Sequence, residues 1–211
     1  MIHEKQKHPV VAVEGLIGCG KSTLCRWIRK NTDALVADES ESPLLTSFYS
    51  DPKRWAFATQ IDLLTQRSAM LKTAHKASLK RSVVLDRSVI GDRAFARTPW
   101  SRGNMDPQEY RLYDEVHHTL LESVEAPTAI LYLDVSIDTA LERIKRRNRT
   151  EDVKHVYMIH LAQSYEHILR EFDSRGVTVI RIEWDRDLSR TEYSVHADKI
   201  LTKMMKLGIR L

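Results

Sequence analysis

Gly15-Leu16-Ile17-Gly18-Cys19-Gly20-Lys21-Ser22 is the stretch that decides the fold. It satisfies G-x-x-x-x-G-K-[ST] at every fixed position, and Thr23 follows it. An apolar, β-branched run at residues 9–14 (PVVAVE) leads into it, and a helical stretch at 22–31 leads out. In that context glycines let successive backbone N–H groups converge on an anion, and the helix N-terminus adds its partial positive charge. The expected phosphate cradle comprises Gly15, Leu16, Ile17, Gly18, Cys19, Gly20, Lys21, Ser22 and Thr23. Lys21 is expected to reach the β- and γ-phosphates of a nucleoside triphosphate, and the Ser22 hydroxyl to ligate Mg²⁺. The chain has seven glycines in 211 residues, about half the usual share, and three of them fall in this loop. A plain glycine-rich turn would not need the Lys-Ser pair. Cys19 is assigned no chemistry.

Outward from the loop, three further apolar runs read as buried strands: 82–86 (SVVLD), 129–134 (AILYLD) and 177–182 (VTVIRI), with a weaker one at 34–37 (ALVA). They are continuously apolar, as parallel strands covered on both faces should be. Helical stretches are expected at 52–80, 107–124 and 138–149. Alternating strands and helices predict an α/β fold: a P-loop three-layer α/β/α architecture with a central, mainly parallel five-stranded sheet and a helical lid. No repeat or linker divides the chain, so one domain spanning 1–211 is expected, with its lid at about 143–155.

Composition narrows the function. Hydrophobic residues make up 42% and charged residues 29%, which excludes a disordered chain. The formal charge of +4 suits a polyanionic ligand without requiring nucleic acid, because both signs are spread along the chain. Two cysteines, Cys19 and Cys25, are too few for a disulfide framework or a zinc site, which points to a reducing compartment and a cytoplasmic protein. No apolar run approaches the roughly 18–20 residues of a membrane span, and residues 1–7 lack a signal-peptide core.

A phosphate loop names a nucleotide, not a reaction. Glu39 follows the weak strand, where open α/β sheets bind ligands; it is placed either to take a proton from an attacking hydroxyl or in a solvated acidic turn. Asp86 ends its strand at the usual Mg²⁺ position beside a phosphate loop, and Arg87 adds a fixed positive charge. Asp92 and Arg93 follow closely. Gln60 and Arg67 lie seven residues apart on one helix, near the same face, where they could read the edge of a base or simply face solvent. Residues 143–149 carry five basic side chains in seven, including Arg143, Arg147 and Arg149. Such a cluster fits a lid that clamps phosphates; the rival is a nucleic-acid patch, which Glu151 and Asp152 interrupt. His117-His118 reads as a solvated helix face in preference to a metal site. The stripe Tyr110, Tyr113, Val116, Leu120 and Leu121 reads as core packing.

Together these markers resemble the deoxynucleoside kinases, a family that includes deoxycytidine, deoxyguanosine and bacterial deoxyadenosine kinases and the insect multisubstrate enzyme. The resemblance runs from about Val10 to Phe172. It rests on Glu14-Gly15 and the loop, Glu39, Pro43-Leu44-Leu45, Phe48-Tyr49, residues 51–57 (DPKRWAF) with Gln60, Asp86-Arg87-Ser88, Asp92-Arg93, and the lid from Arg143 to Glu151. It implies transfer of the γ-phosphoryl group of ATP, with Mg²⁺, to a deoxynucleoside 5′-hydroxyl. Glu39 is then the general base and Arg87 its partner at the 5′-oxygen. Tyr49, with Asp152 where relatives carry Glu, contacts the 3′-hydroxyl. Gln60 pairs with the base edge, Trp55 lines the base pocket, and Thr59 enlarges it. Asp86 keeps a carboxylate near Mg²⁺. The Arg67 and Asp92 pair implies purine deoxynucleosides or deoxycytidine over thymidine. The family also implies a homodimer. Alternatives are a deoxynucleoside monophosphate kinase of the thymidylate type and a non-catalytic relative; a GTPase switch lacks its N/T-K-x-D motif.

Overall fold

The computed structural model describes residues 7–39, 41–147, 153–185 and 190–211. Five strands form one sheet: β1 (Val10–Gly15), β2 (Leu35–Ala37), β3 (Val83–Asp86), β4 (Ala129–Asp134) and β5 (Thr178–Glu183). Their order is β2-β3-β1-β4-β5, and every pairing is parallel. All residues of β1 and β3 are buried, as their unbroken apolar runs require of central strands. β2 is an edge strand with only Val36 buried, and its sequence signal was correspondingly weak.

Eight helices cover the sheet among the described residues: α1 (Lys21–Asn31), α2 (Leu45–Ser50), α3 (Pro52–Ala77), α4 (Val89–Ser101), α5 (Pro107–Glu122), α6 (Ile137–Arg146), α7 (His155–Ser174) and α8 (Arg190–Lys206). α3 starts where Asp51 accepts from the Arg54 N–H and Pro52 supplies a preset first turn. α5 opens on a complete capping box of Asp106 and Glu109. The α5 stripe faces the protein's own core: Tyr113 is fully buried, and Tyr110, Val116, Leu120 and Leu121 pack against the same cluster.

Three long helices lie outside the stretches expected from the sequence, α4, α7 and α8. α4 buries Asp92 and Arg93 and contains Gly91 and Pro99, so its inward face does not read as an apolar stripe. α6 ends at Arg146, three residues short of the expected end at 149. Arg149 and Asp152 lie outside the described residues.

The parallel order brings three strand tips side by side. The phosphate loop leaves β1, Glu39 lies just past β2, and Asp86 closes β3, the strand between them. Among the described residues, no helix is long and apolar enough to cross a membrane.

Candidate active site

The phosphate loop is held open by its glycines and gripped from behind. Gly15, Gly18 and Gly20 have φ of 145°, 80° and 105°. At Gly18 a side chain faces two obstacles: a left-handed backbone, and a Cβ position that runs into the Ala140 carbonyl and the Ile144 side chain of α6. Gly18→Ala should therefore cost about 3 kcal/mol, the sum of backbone strain and overpacking. A thermal melt within a degree of wild type would contradict it. The cap residue of α1 is Gly20, which offers no side-chain acceptor to the first amides of the helix. Lys21 lies buried along the loop, its ammonium donating to the Gly15 carbonyl at 3.1 Å and the Leu16 carbonyl at 2.8 Å. Arg143 donates to the Cys19 carbonyl at 3.0 Å and the Trp184 carbonyl at 3.1 Å, tying α6 and the end of β5 to the loop backbone. Arg147 caps the C-terminus of α6 and is exposed.

Beyond the loop, a chain of charges runs across the strand tips. The Glu39 carboxylate is bound by the Arg87 Nε and, at 3.2 Å, by the Arg67 guanidinium. Arg67 in turn is paired with Asp92, both side chains being essentially sealed from solvent. Glu39 is the exposed end of this chain, with a third of its side chain accessible. Burial alone would raise its pKa; Arg87, Lys21 and Arg67 overcome that and hold the carboxylate below the usual range. Arg87 has the one left-handed non-glycine backbone among the described residues, φ 71°, and its guanidinium stacks 4.5 Å above the Phe95 ring. Burial opposes its charge, but Glu39 and its neighbours raise the Arg87 pKa above the ordinary value.

Glu39, Arg67, Arg87 and Phe95 line a cavity of about 110 Å³ with Ile17, Phe48, Tyr49, Leu63 and Tyr157, and Gln60 reaches its wall. Gln60 is buried on α3, and its Oε1 has no partner, an acceptor facing a recognition role or an unmet cost. The expectation that Gln60 and Arg67 could be surface residues of a long helix fails: both are inside. A second lobe of about 280 Å³ shares Phe48, Tyr49 and Tyr157 and adds Pro52, Pro99 and Lys154. Trp55 packs with Phe48, Ala56 and Met105 behind that wall. Asp86 is buried with Oδ1 unpartnered, and Ser22 is exposed at the start of α1.

Sequence reading quoted Glu14 only as a marker beside the loop, with no role, and missed Tyr165. Glu14 is the one charged residue in the fully buried run of β1, a signal in itself; Tyr165 lies on α7, where no helix was expected. Of the two histidines, His117 is buried and bonds the Val89 carbonyl at 2.9 Å, while His118 faces Asp114. Among the described residues, no group of three His, Cys, Asp or Glu side chains could hold a metal ion.

A glycine loop with its lysine, opening beside an arginine-held carboxylate in a parallel sheet of this order, defines a P-loop kinase. The deoxynucleoside kinase family pattern matches residues 11–207. The chain is 35% identical over 178 residues to a deoxyadenosine kinase of Dictyostelium discoideum, covering 82% of this chain and 71% of that one. It is 30% identical to a deoxyadenosine/deoxycytidine kinase of Bacillus subtilis, over 92% of this chain and 91% of the other. Among solved structures, a deoxyadenosine kinase from M. mycoides with bound dATP superposes with a TM-score of 0.79 at 27% identity, over 92% of this chain and 98% of that one. The protein belongs to the deoxynucleoside kinase family, and its reaction is phosphoryl transfer to a deoxynucleoside.

Proposed function

We propose that this kinase transfers the γ-phosphoryl group of ATP to the 5′-hydroxyl of a purine deoxynucleoside or deoxycytidine, in preference to thymidine. The observation that carries the reading is Glu39, an ionised carboxylate held by Arg67 and Arg87 at the mouth of the cavity beside the phosphate loop. In the reaction the 5′-oxygen bonds to the γ-phosphorus as the bond to the ADP oxygen breaks, and the hydroxyl proton passes to Glu39. Its low pKa makes Glu39 a weak base. It orients the hydroxyl first and takes the proton late, which suits a loose transition state with little nucleophile activation.

Lys21 and the loop amides would hold the phosphates, while Arg147 and Arg149 would close from the lid. Arg143 serves the same end from behind, fixing the loop backbone. Tyr49 and Asp152 would meet the 3′-hydroxyl. The chain's donors fit Mg²⁺: Ser22 and the unpartnered Asp86 offer hard oxygens, and this ion takes few protein ligands when phosphates and waters supply the rest. Bound with ATP, it would neutralise charge on the phosphates.

Selectivity comes from the wall formed by Gln60 and Arg67, with Asp92 buried behind Arg67 as its partner. A buried charged pair and an unpartnered amide oxygen favour a base edge that carries an amino group, whereas the thymine methyl would meet polar groups that cannot bond it. The relatives named as deoxyadenosine, deoxyguanosine and deoxycytidine kinases point the same way. Turnover measured with the four deoxynucleosides and their four monophosphates should show kcat/KM at least about tenfold lower for thymidine than for the best of the others. Phosphorylation of monophosphates alone would refute the acceptor; thymidine as the best substrate would refute the selectivity.

A further inference from the structure

Glu14 is a fully buried carboxylate one residue before the phosphate loop, and it has four donors. Its Oε1 accepts from the Ser88 N–H and hydroxyl, each at 2.8 Å, and from the Gly91 N–H at 3.2 Å, which anchors the first turn of α4. A Cβ at position 91 would sit inside the carboxylate, so glycine is what permits this approach. The Oε2 accepts from the Tyr165 hydroxyl at 2.9 Å.

That last bond fixes the direction of the next. A carboxylate only accepts, so the phenol must spend its proton on Glu14, leaving its lone pairs for the Arg87 Nη1 at 3.4 Å. Tyr165 stands edge-on to Phe95, the ring beneath the Arg87 guanidinium, with centroids 6.1 Å apart. Arg87 is therefore constrained on three sides, by Tyr165, Phe95 and Glu39. Burial and Glu14 push the phenol well above its ordinary pKa, so it stays a neutral hydroxyl.

We propose that Tyr165, oriented by Glu14, is a positioning residue for phosphoryl transfer: its hydroxyl fixes the Arg87 guanidinium against Glu39 and so sets where the 5′-hydroxyl is met. The proposal rests on the reading of Glu39 as the base. It links the strand that carries the donor loop to the acceptor side through α7.

Tyr165→Phe keeps the ring and removes only the hydroxyl. With the deoxynucleoside turned over best, kcat should fall about tenfold, the effect of one hydrogen bond to a charged group, with the KM for ATP within about twofold. The pH profile adds a readout that loosened packing would not move. The charged groups facing Glu39 are Arg87, Lys21 from α1 and Arg67 from α3, with Glu41 on the same cavity wall. A wandering Arg87 lets the Glu39 pKa rise, so the acid limb of kcat should move to higher pH, by about half a unit. Ser88→Ala removes a different donor to Glu14 and a helix cap; it should lower the melting temperature without moving the acid limb. A wild-type kcat and acid limb in Tyr165→Phe, or an equal shift in both variants, would overturn the proposal. Should Tyr165→Phe fail to accumulate folded, 3-fluorotyrosine at position 165, which weakens the acceptor lone pairs, takes its place with the same criteria. If Glu39→Gln retains turnover, the base reading fails. If Glu39→Gln loses turnover and Tyr165→Phe is unaltered, only the positioning role fails.

Discussion

Glu39→Gln is expected to lower kcat by about a thousandfold, within the range lost with a general base, while ATP binding stays near wild type. The glutamine keeps the length and one acceptor oxygen, so it can still touch Arg87 and Arg67, but it cannot take the proton. Loss should therefore appear in kcat and leave the donor side alone, which isothermal titration with a non-hydrolysable ATP analogue can separate from turnover. The wild-type pH profile makes a second test of the same assignment. The folded environment holds Glu39 below the ordinary glutamate value of 4.5, so activity should persist as pH falls through that value and decline only below it. Near-normal turnover by Glu39→Gln on all four deoxynucleosides would end the assignment.

Breaking the buried Arg67–Asp92 pair should produce the largest combined effect on stability and specificity. Arg67 is sealed in the interior, where burial and the nearby Arg87 already press its pKa below the usual guanidinium value. Asp92 on α4 and Glu39 are the carboxylates that compensate it. Asp92→Ala leaves the charge inside with Glu39 alone, at a cost of about 3 kcal/mol, the low end for an orphaned buried ion because Glu39 remains. The chemical consequence follows from the same geometry. An Arg67 that leans further onto Glu39 competes with Arg87 for the carboxylate and abandons the base-facing wall, so kcat/KM for the best deoxynucleoside should fall about a hundredfold. Urea unfolding reads the first effect, and the substrate panel reads the second. A midpoint unchanged in urea would show that Asp92 is not the partner Arg67 needs.

The phosphate loop and the central strands were legible because their physics is local. A glycine pattern and an unbroken apolar run need no partner to be recognised. α4 was not legible, since its inward face carries Asp92 and Arg93, whose burial is tolerable only because Arg67, Asp114 and Glu171 sit opposite them. Those partners come from α3, α5 and α7, and no window along the chain contains them. The same reason hid the burial of Gln60 and Arg67: polar residues on a long helix look solvated until a second helix covers them. Glu39 and Arg87 could be picked out by position at strand ends, but their mutual contact spans nearly fifty residues. Tyr165 had no local signal whatever.

The strand order has a consequence for how alignment is kept. Neighbouring strands in a sheet stand roughly 4.8 Å apart, so the tips of β1 and β2 are separated by about two such steps, with β3 between them. The sheet thus acts as a fixed gauge between the phosphate loop and Glu39. The span across which the phosphoryl group is handed over is machined into the ladder of backbone hydrogen bonds, not set by whatever closes above it. Swapping Gln60 on α3 should then retune which base is accepted while leaving the donor-to-acceptor distance untouched, whereas Arg67 on the same helix also grips Glu39 and is better kept.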